Sequence, residues 1–175
     1  RLCEMYGSLI DSGDGHFGMI TYIDITAQRA NELHLREFEA MVQSADDGIL
    51  FIDQGVFTAA NAGAERMFGA PAHALVGKSP VELSPAVQAD GRPSHEVARS
   101  LIEAALSGEA QRFHWLHCRA NGELFTAQIS LTPVHGVPGR LAAVLRDVTE
   151  DLARAEALAR SEARLKTIIA VSNTG

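Results

Sequence analysis

In QRFHWLHCRANGELFTAQISLTPV, residues 111–134, polar and apolar side chains alternate on both sides of Ala120-Asn121-Gly122. Alternation of this kind marks a strand with one buried face, and Asn-Gly is the strongest short-range signal for a tight hairpin. Successive strand residues point opposite ways, so Phe125, Ala127, Ile129 and Leu131 share an apolar face, opposed by Thr126, Gln128, Ser130 and Thr132. Carried through the turn, that face receives Phe113, Trp115 and His117. The following stretch GRLAAVLRDV (139–148) adds Leu141, Ala143 and Leu145. The face is either a filled core or the wall of a ligand pocket. Trp115 and His117 are the residues hardest to explain by packing alone, because each has a polar group that needs a partner when buried.

Upstream, ILFID (49–53) and VFTAAN (56–61) flank Gln54-Gly55 and form a second hairpin. NAGAERMFGAPAHALVG (61–77) divides into short helices at its Gly and Pro residues. SHEVARSLIEAALSG (94–108) forms a longer helix with Ser94 as its cap and Gly108 as its stop. Two strands, several helices and three strands make an α+β fold with one antiparallel sheet.

Part of this pattern occurs twice. YIDIT (22–26) and RDVT (146–149) both close an apolar strand on Asp-(Ile/Val)-Thr and pass into an Ala-, Arg- and Glu-rich segment. Residues 1–10 and HFGMITYID, joined at DSGDG, predict a hairpin ahead of the first copy. AQRANELHLREFEAMVQSA (27–45) predicts a helix after it, with Thr26 as its cap. FEAMVQSADDG (38–48) is matched in pattern by LKTIIAVSNTG (165–175), which places the start of a further unit at the end of this chain.

The order of hairpin, NAGAERMFG, ALVGKS, helix, RANGELF turn, a strand ending at Pro133 and RDVT resembles a PAS domain with its C-terminal PAC segment. The resemblance covers 37–149, and 1–26 resemble the last two strands of a preceding copy. Residues 27–36 then form a linker helix, and 150–175 a second linker helix, with Thr149 as its cap, leading into a following module. The resemblance implies a five-stranded antiparallel sheet in the order 2-1-5-4-3, with short helices on one face and flanking linker helices. It implies a sensory function: a ligand-binding module of a bacterial-type signalling protein, foremost a histidine kinase of a two-component system, with a diguanylate cyclase or chemoreceptor next. Asp24, Thr26, Asp147 and Thr149 then sit in the exit motif that passes a signal from sheet to helix, with the output domain elsewhere in the parent chain.

Bulk properties limit the alternatives. In 175 residues the net charge is -7 and the 15 Lys and Arg are scattered, which argues against a nucleic-acid surface. Cys3 and Cys118 lie in no metal-ligand spacing, and free thiols fit a cytoplasmic location, with an anchor elsewhere in the parent compatible with that. Asp46, Asp47 and Asp53 read as turn residues. His114, His117 and Cys118 do not converge, because alternation sends His117 to the face opposite the other two. No catalytic set emerges. Of cofactors, the leading expectation is none, with FAD or heme as alternatives. The reactive-cysteine stretch of light-sensing LOV domains is missing from VGKSPVELSP, and Leu145 stands where their flavin-contacting Gln would be. Trp115 is in position to wall off a ring system, and His73 and His95 are weak candidates for a heme axial ligand. Leu35, Phe38 and Val42, and Leu158, Leu165 and Ile168, form helical stripes that serve either as homodimer seams or in packing against the sheet.

Overall fold

The computed structural model describes residues 2–12 and 15–172 and divides into two units, 1–42 and 43–175. In the first, β1 (Cys3–Ser12) and β2 (Gly15–Asp24) pair antiparallel with Cys3 opposite Asp24, followed by α1 (Thr26–Ser44). Two residues of the expected DSGDG turn, 13 and 14, lie outside the described residues. α1 has neither Gly nor Pro to break it and continues unbroken past residue 36, where the linker was expected to end. Met5, Ile20 and Tyr22 of the hairpin and Leu35 and Phe38 of α1 are exposed.

The second unit holds β3 (Gly48–Asp53), β4 (Val56–Ala60), α2 (Ala62–Phe68), α3 (Ala72–Leu75), a 3-10 turn (Pro80–Leu83) and α4 (Ser94–Leu106). It continues with β5 (Gln111–Cys118), β6 (Leu124–Pro133), β7 (Arg140–Asp147) and α5 (Thr149–Ser172). The strands form one antiparallel sheet in the order β4-β3-β7-β6-β5, which is the expected 2-1-5-4-3. The hairpin register sets Trp115 against Ala127 and His117 against Phe125, so both sides of the inner face are in phase. Leu50, Ile52, Leu141 and Leu145 complete that face, and Phe68, Leu75, Leu83, Ala98 and Ala105 close over it from the helical layer.

Local chemistry explains the joints. Gln54 and Gly55 both have positive φ, 50° and 81°, as a two-residue hairpin with the right twist demands. Asn61, buried, uses Oδ1 to accept from the amides of Ile49 (2.8 Å) and Ala64 (2.9 Å), and its Nδ2 donates to the Asp47 carbonyl (3.1 Å). One side chain thus caps α2 and fastens it to the start of β3. The approach is so close that a Cβ on Gly63 would lie 2.3 Å from the Asp47 oxygen.

Ser94 does not cap α4 as expected. Pro93 occupies the cap position, and the Ser94 hydroxyl is buried, donating to the Pro85 carbonyl (2.6 Å) and accepting from Gln88 Nε2 (2.8 Å). Gln88 in turn accepts the Leu116 amide on Oε1 (2.7 Å) and fills a backbone position at the open edge of β5. The hydroxyl serves a loop-to-sheet seam because an apolar environment leaves it no water to bond. At the other end, α5 runs to Ser172, and the Asn173–Gly175 part of the matching C-terminal pattern lies outside the described residues.

Candidate functional site

Between the inner face of the sheet and the helical layer lies a half-open apolar cavity of about 40 Å³. Phe113, Trp115, His117, Ile129, Leu131, Ala143 and Leu145 line it from β5, β6 and β7. Phe125 and Ala127 share the face and are fully buried, but do not reach the cavity wall. The remaining wall comes from Ile52, Phe57, Pro80, Ala98, Leu101 and Ile102, which sequence reasoning left unassigned. Ile52 had a usable signal, since alternation in ILFID puts it in phase with Leu50; the α4 residues share a helical face with no mark to separate wall from core.

The polar groups of Trp115 and His117 find their partners in the 3-10 turn and the residue after it. Trp115 Nε1 donates to Ser84 Oγ (2.8 Å), whose own hydrogen goes to the Pro80 carbonyl (2.7 Å). His117 Nδ1 lies 2.9 Å from the Leu83 carbonyl and 3.2 Å from Ser84 Oγ. A carbonyl only accepts, so Nδ1 carries the hydrogen. Burial, opposed by the Leu83 carbonyl, pushes the imidazole pKa down to about 4, so the ring is neutral near pH 7 and Nε2 is a bare acceptor.

From His117 a set of contacts leads to the end of β7. The His117 ring stacks on Phe125 with centroids 5.7 Å apart, and Phe68 meets both edge-on at 5.0 and 5.4 Å. Arg119 follows β5 in the inward phase and lies over the Phe125 ring, 4.2 Å from Cζ to the centroid. Its two terminal nitrogens donate to the Met67 carbonyl and to Asp147 Oδ2. The other oxygen, Oδ1, accepts from the Thr149 amide (3.0 Å) and hydroxyl (2.7 Å). Burial pushes the Asp147 carboxyl up, but the Thr149 hydroxyl and amide and the Arg119 guanidinium outweigh it and hold the pKa below the usual value.

Thr149 does not cap α5. Its Oγ1 accepts from the Thr126 amide (2.9 Å), Val148 N donates to the Thr126 carbonyl (2.9 Å), and the Val148 carbonyl accepts from Leu152 (2.9 Å). The hydroxyl therefore holds the helix to β6 instead of satisfying its first turn. Thr26 repeats this: its Oγ1 accepts from Leu2 N (2.8 Å), its amide donates to Asp24 Oδ1 (3.0 Å), and Ile25 N donates to the Leu2 carbonyl (2.9 Å). Arg119 was missed by sequence reasoning, although a cation in phase with Phe113, Trp115 and His117 signals an anion nearby.

The heme-ligand candidates lie elsewhere. His73 and His95 are exposed, His95 beside Glu96, and neither lines the cavity. The cavity, about 40 Å³, is smaller than the ~150 Å³ of an apolar cavity that takes benzene. No group of His, Cys, Asp and Glu able to hold a metal ion occurs among the described residues. No helix among them is long and apolar enough to cross a membrane.

Comparison with solved structures finds the same architecture. A domain of a sensory box sensor histidine kinase/response regulator from Geobacter sulfurreducens aligns at 20% identity and TM-score 0.56, covering 65% of this chain and 94% of that one. The PAS domain of a LuxR-family transcriptional regulator from Burkholderia thailandensis, solved in complex with ethanol, aligns at 16% and 0.52, covering 63% and 96%. An RNA-binding light-oxygen-voltage receptor aligns at 22% and 0.60, covering 93% of this chain and 44% of that one. A search of curated proteins returns no match. A family model described as PAS fold matches residues 42–153, and the chain belongs to that family.

Proposed function

We propose that residues 43–175 are the sensory and relay module of a larger signalling protein, taking up a small molecule in the apolar cavity and passing the change to α5. The observation that carries this reading is the continuous set of contacts from His117 through Phe125 and Arg119 to Asp147 and Thr149. His117 is in the cavity wall, and Thr149 is the first residue of the helix, so a shift in the wall reaches the helix through packed and charge-paired groups. The cavity volume supports a ligand of few atoms, and one neighbour of this fold is described as an ethanol complex.

The first unit fits the end of a preceding PAS copy. Its register of Cys3 opposite Asp24 corresponds to Ala127 opposite Asp147, and Met5, Ile20 and Tyr22 then stand where Ile129, Ala143 and Leu145 line the cavity. Their exposure is that of a half-domain whose cover lies outside these residues. The parent is then a multi-PAS sensor protein, with a histidine kinase as its output and α1 and α5 as the helices through which two copies pair. Exposed Leu35 and Phe38 support that pairing.

A second reading, a spacer with a filled core, is favoured by the internal satisfaction of Trp115 Nε1 and His117 Nδ1. Filling the cavity separates the two. Ala143→Val mimics occupancy, and under the sensory reading it alters amide exchange in residues 149–153, an effect that disappears in the Ala143→Val, Asp147→Asn double variant. Unaltered exchange at 149–153 in a folded Ala143→Val protein overturns the sensory reading in favour of the spacer.

A further inference from the structure

The cavity has a chemical character of its own. No side chain that carries a charge at neutral pH lines it, so it offers nothing to neutralise an anionic or cationic ligand, and a bare ion there would meet a prohibitive desolvation cost. Among the side chains of the wall, nitrogen occurs only in Trp115 and His117. The Trp115 N–H is taken by Ser84, and Nδ1 of His117 by the 3-10 turn. What remains is His117 Nε2, an unprotonated acceptor in a ring only 1% exposed, with no hydrogen-bond partner among the described residues. A water in this space would find one side-chain partner where buried waters need 2–4.

Resting on the reading of this cavity as a ligand site, we propose that it takes an uncharged molecule of about three non-hydrogen atoms, with an apolar body and one O–H or N–H donated to His117 Nε2. Short alcohols and small amides have this chemistry; carboxylates, alkylammonium ions and acceptor-only molecules do not. The turn Leu83–Ser84 fixes the tautomer, and the aromatic contacts with Phe125 and Phe68 fix the ring plane. Selectivity then rests on the ligand's hydrogen as much as on its size, because the site leaves an acceptor unmet when an isostere lacks the donor.

Ethanol and dimethyl ether test this directly, being isomers of equal size of which only the alcohol donates. The full chain with 15N-labelled histidine is titrated with each, and the His117 Nε2 resonance is read by NMR. The expected result is a saturable ethanol titration that moves Nε2 toward the protonated-nitrogen side, with dimethyl ether roughly tenfold weaker, as one hydrogen bond implies. Saturable binding of both at equal strength with Nε2 unmoved overturns the donor requirement and leaves the ligand-site reading standing. No saturable binding by either, with xenon also excluded, overturns both. His117→Leu adds a second arm if it folds: ethanol should lose its advantage over the ether, and an advantage that persists contradicts the assignment.

Discussion

The turns at Asp24-Ile25-Thr26 and Asp147-Val148-Thr149 make the same bonds with different surroundings. In each, the aspartate accepts the threonine amide at 3.0 Å, the threonine hydroxyl accepts an amide of the neighbouring strand, and the middle residue donates back to that strand's carbonyl. Three residues and a strand end suffice for this geometry. Around Asp147, however, Arg119 brings the carboxylate into contact with Phe125 and the end of α2, whereas Asp24 lies on the surface of an exposed hairpin. At Asp147 the shared local motif is thus connected through Arg119 to the core of the second unit, and that connection is what makes it a candidate relay.

Acid separates the two most strongly. His117 is held neutral in the folded second unit with a pKa of about 4, below its ordinary 6.5. The unfolded chain binds this proton first, so stability is undiminished above pH 6.5 and falls as pH drops toward 4, by roughly 3 kcal/mol in all. Trp115, the only tryptophan, reports that unit's unfolding by fluorescence, and His117→Phe should flatten the decline between pH 6.5 and 4. Both aspartates also have lowered pKa values, Asp24 through the hydroxyl and amide of Thr26. Their contributions are present above the unfolded carboxylate value and disappear as pH falls below it, after the histidine step.

Next in size is Asp147→Ala, which leaves Arg119 and the Thr149 amide without their acceptor. It should cost about 2 kcal/mol in urea unfolding followed by Trp115, in line with losing charge-assisted hydrogen bonds. Thr149→Val keeps shape and removes the hydroxyl link to Thr126, for a loss of about 1 kcal/mol by the same measurement. The smallest effects belong to the first unit. Asp24→Asn and Thr26→Val should leave the Trp115 transition unmoved and only speed exchange of the Thr26 and Leu2 amides. A shift of the fluorescence midpoint by either would show the two units to be energetically coupled.

The difference between the settings also marks where sequence reading stops. Alternation through 111–134, the Asn-Gly turn and the recurrence of Asp-x-Thr are local signals; the inner face followed from the alternation, and the strand order from the family resemblance. Serines and threonines at helix starts misled, because a hydroxyl there is locally indistinguishable from a cap. Ser94, Thr26 and Thr149 instead bond to chain segments that only the fold brings near. Asn61, Ser84 and Gln88 likewise act through backbone groups distant in sequence, and the cavity's far wall depends on which residues of α4 meet the sheet. Arg119 lay between these cases: its inward phase was readable, its partner was not.

The most direct test is amide hydrogen exchange across the chain in Arg119→Gln, which keeps a donor but removes the charge that pairs with Asp147. If Arg119 ties the cavity wall to the exit helix, exchange in residues 149–153 should accelerate roughly tenfold, as a loss of ~1.4 kcal/mol implies, while β3 and β6 stay near wild type. Unchanged exchange at 149–153, or acceleration spread evenly over the whole second unit, would contradict the link from sheet to helix.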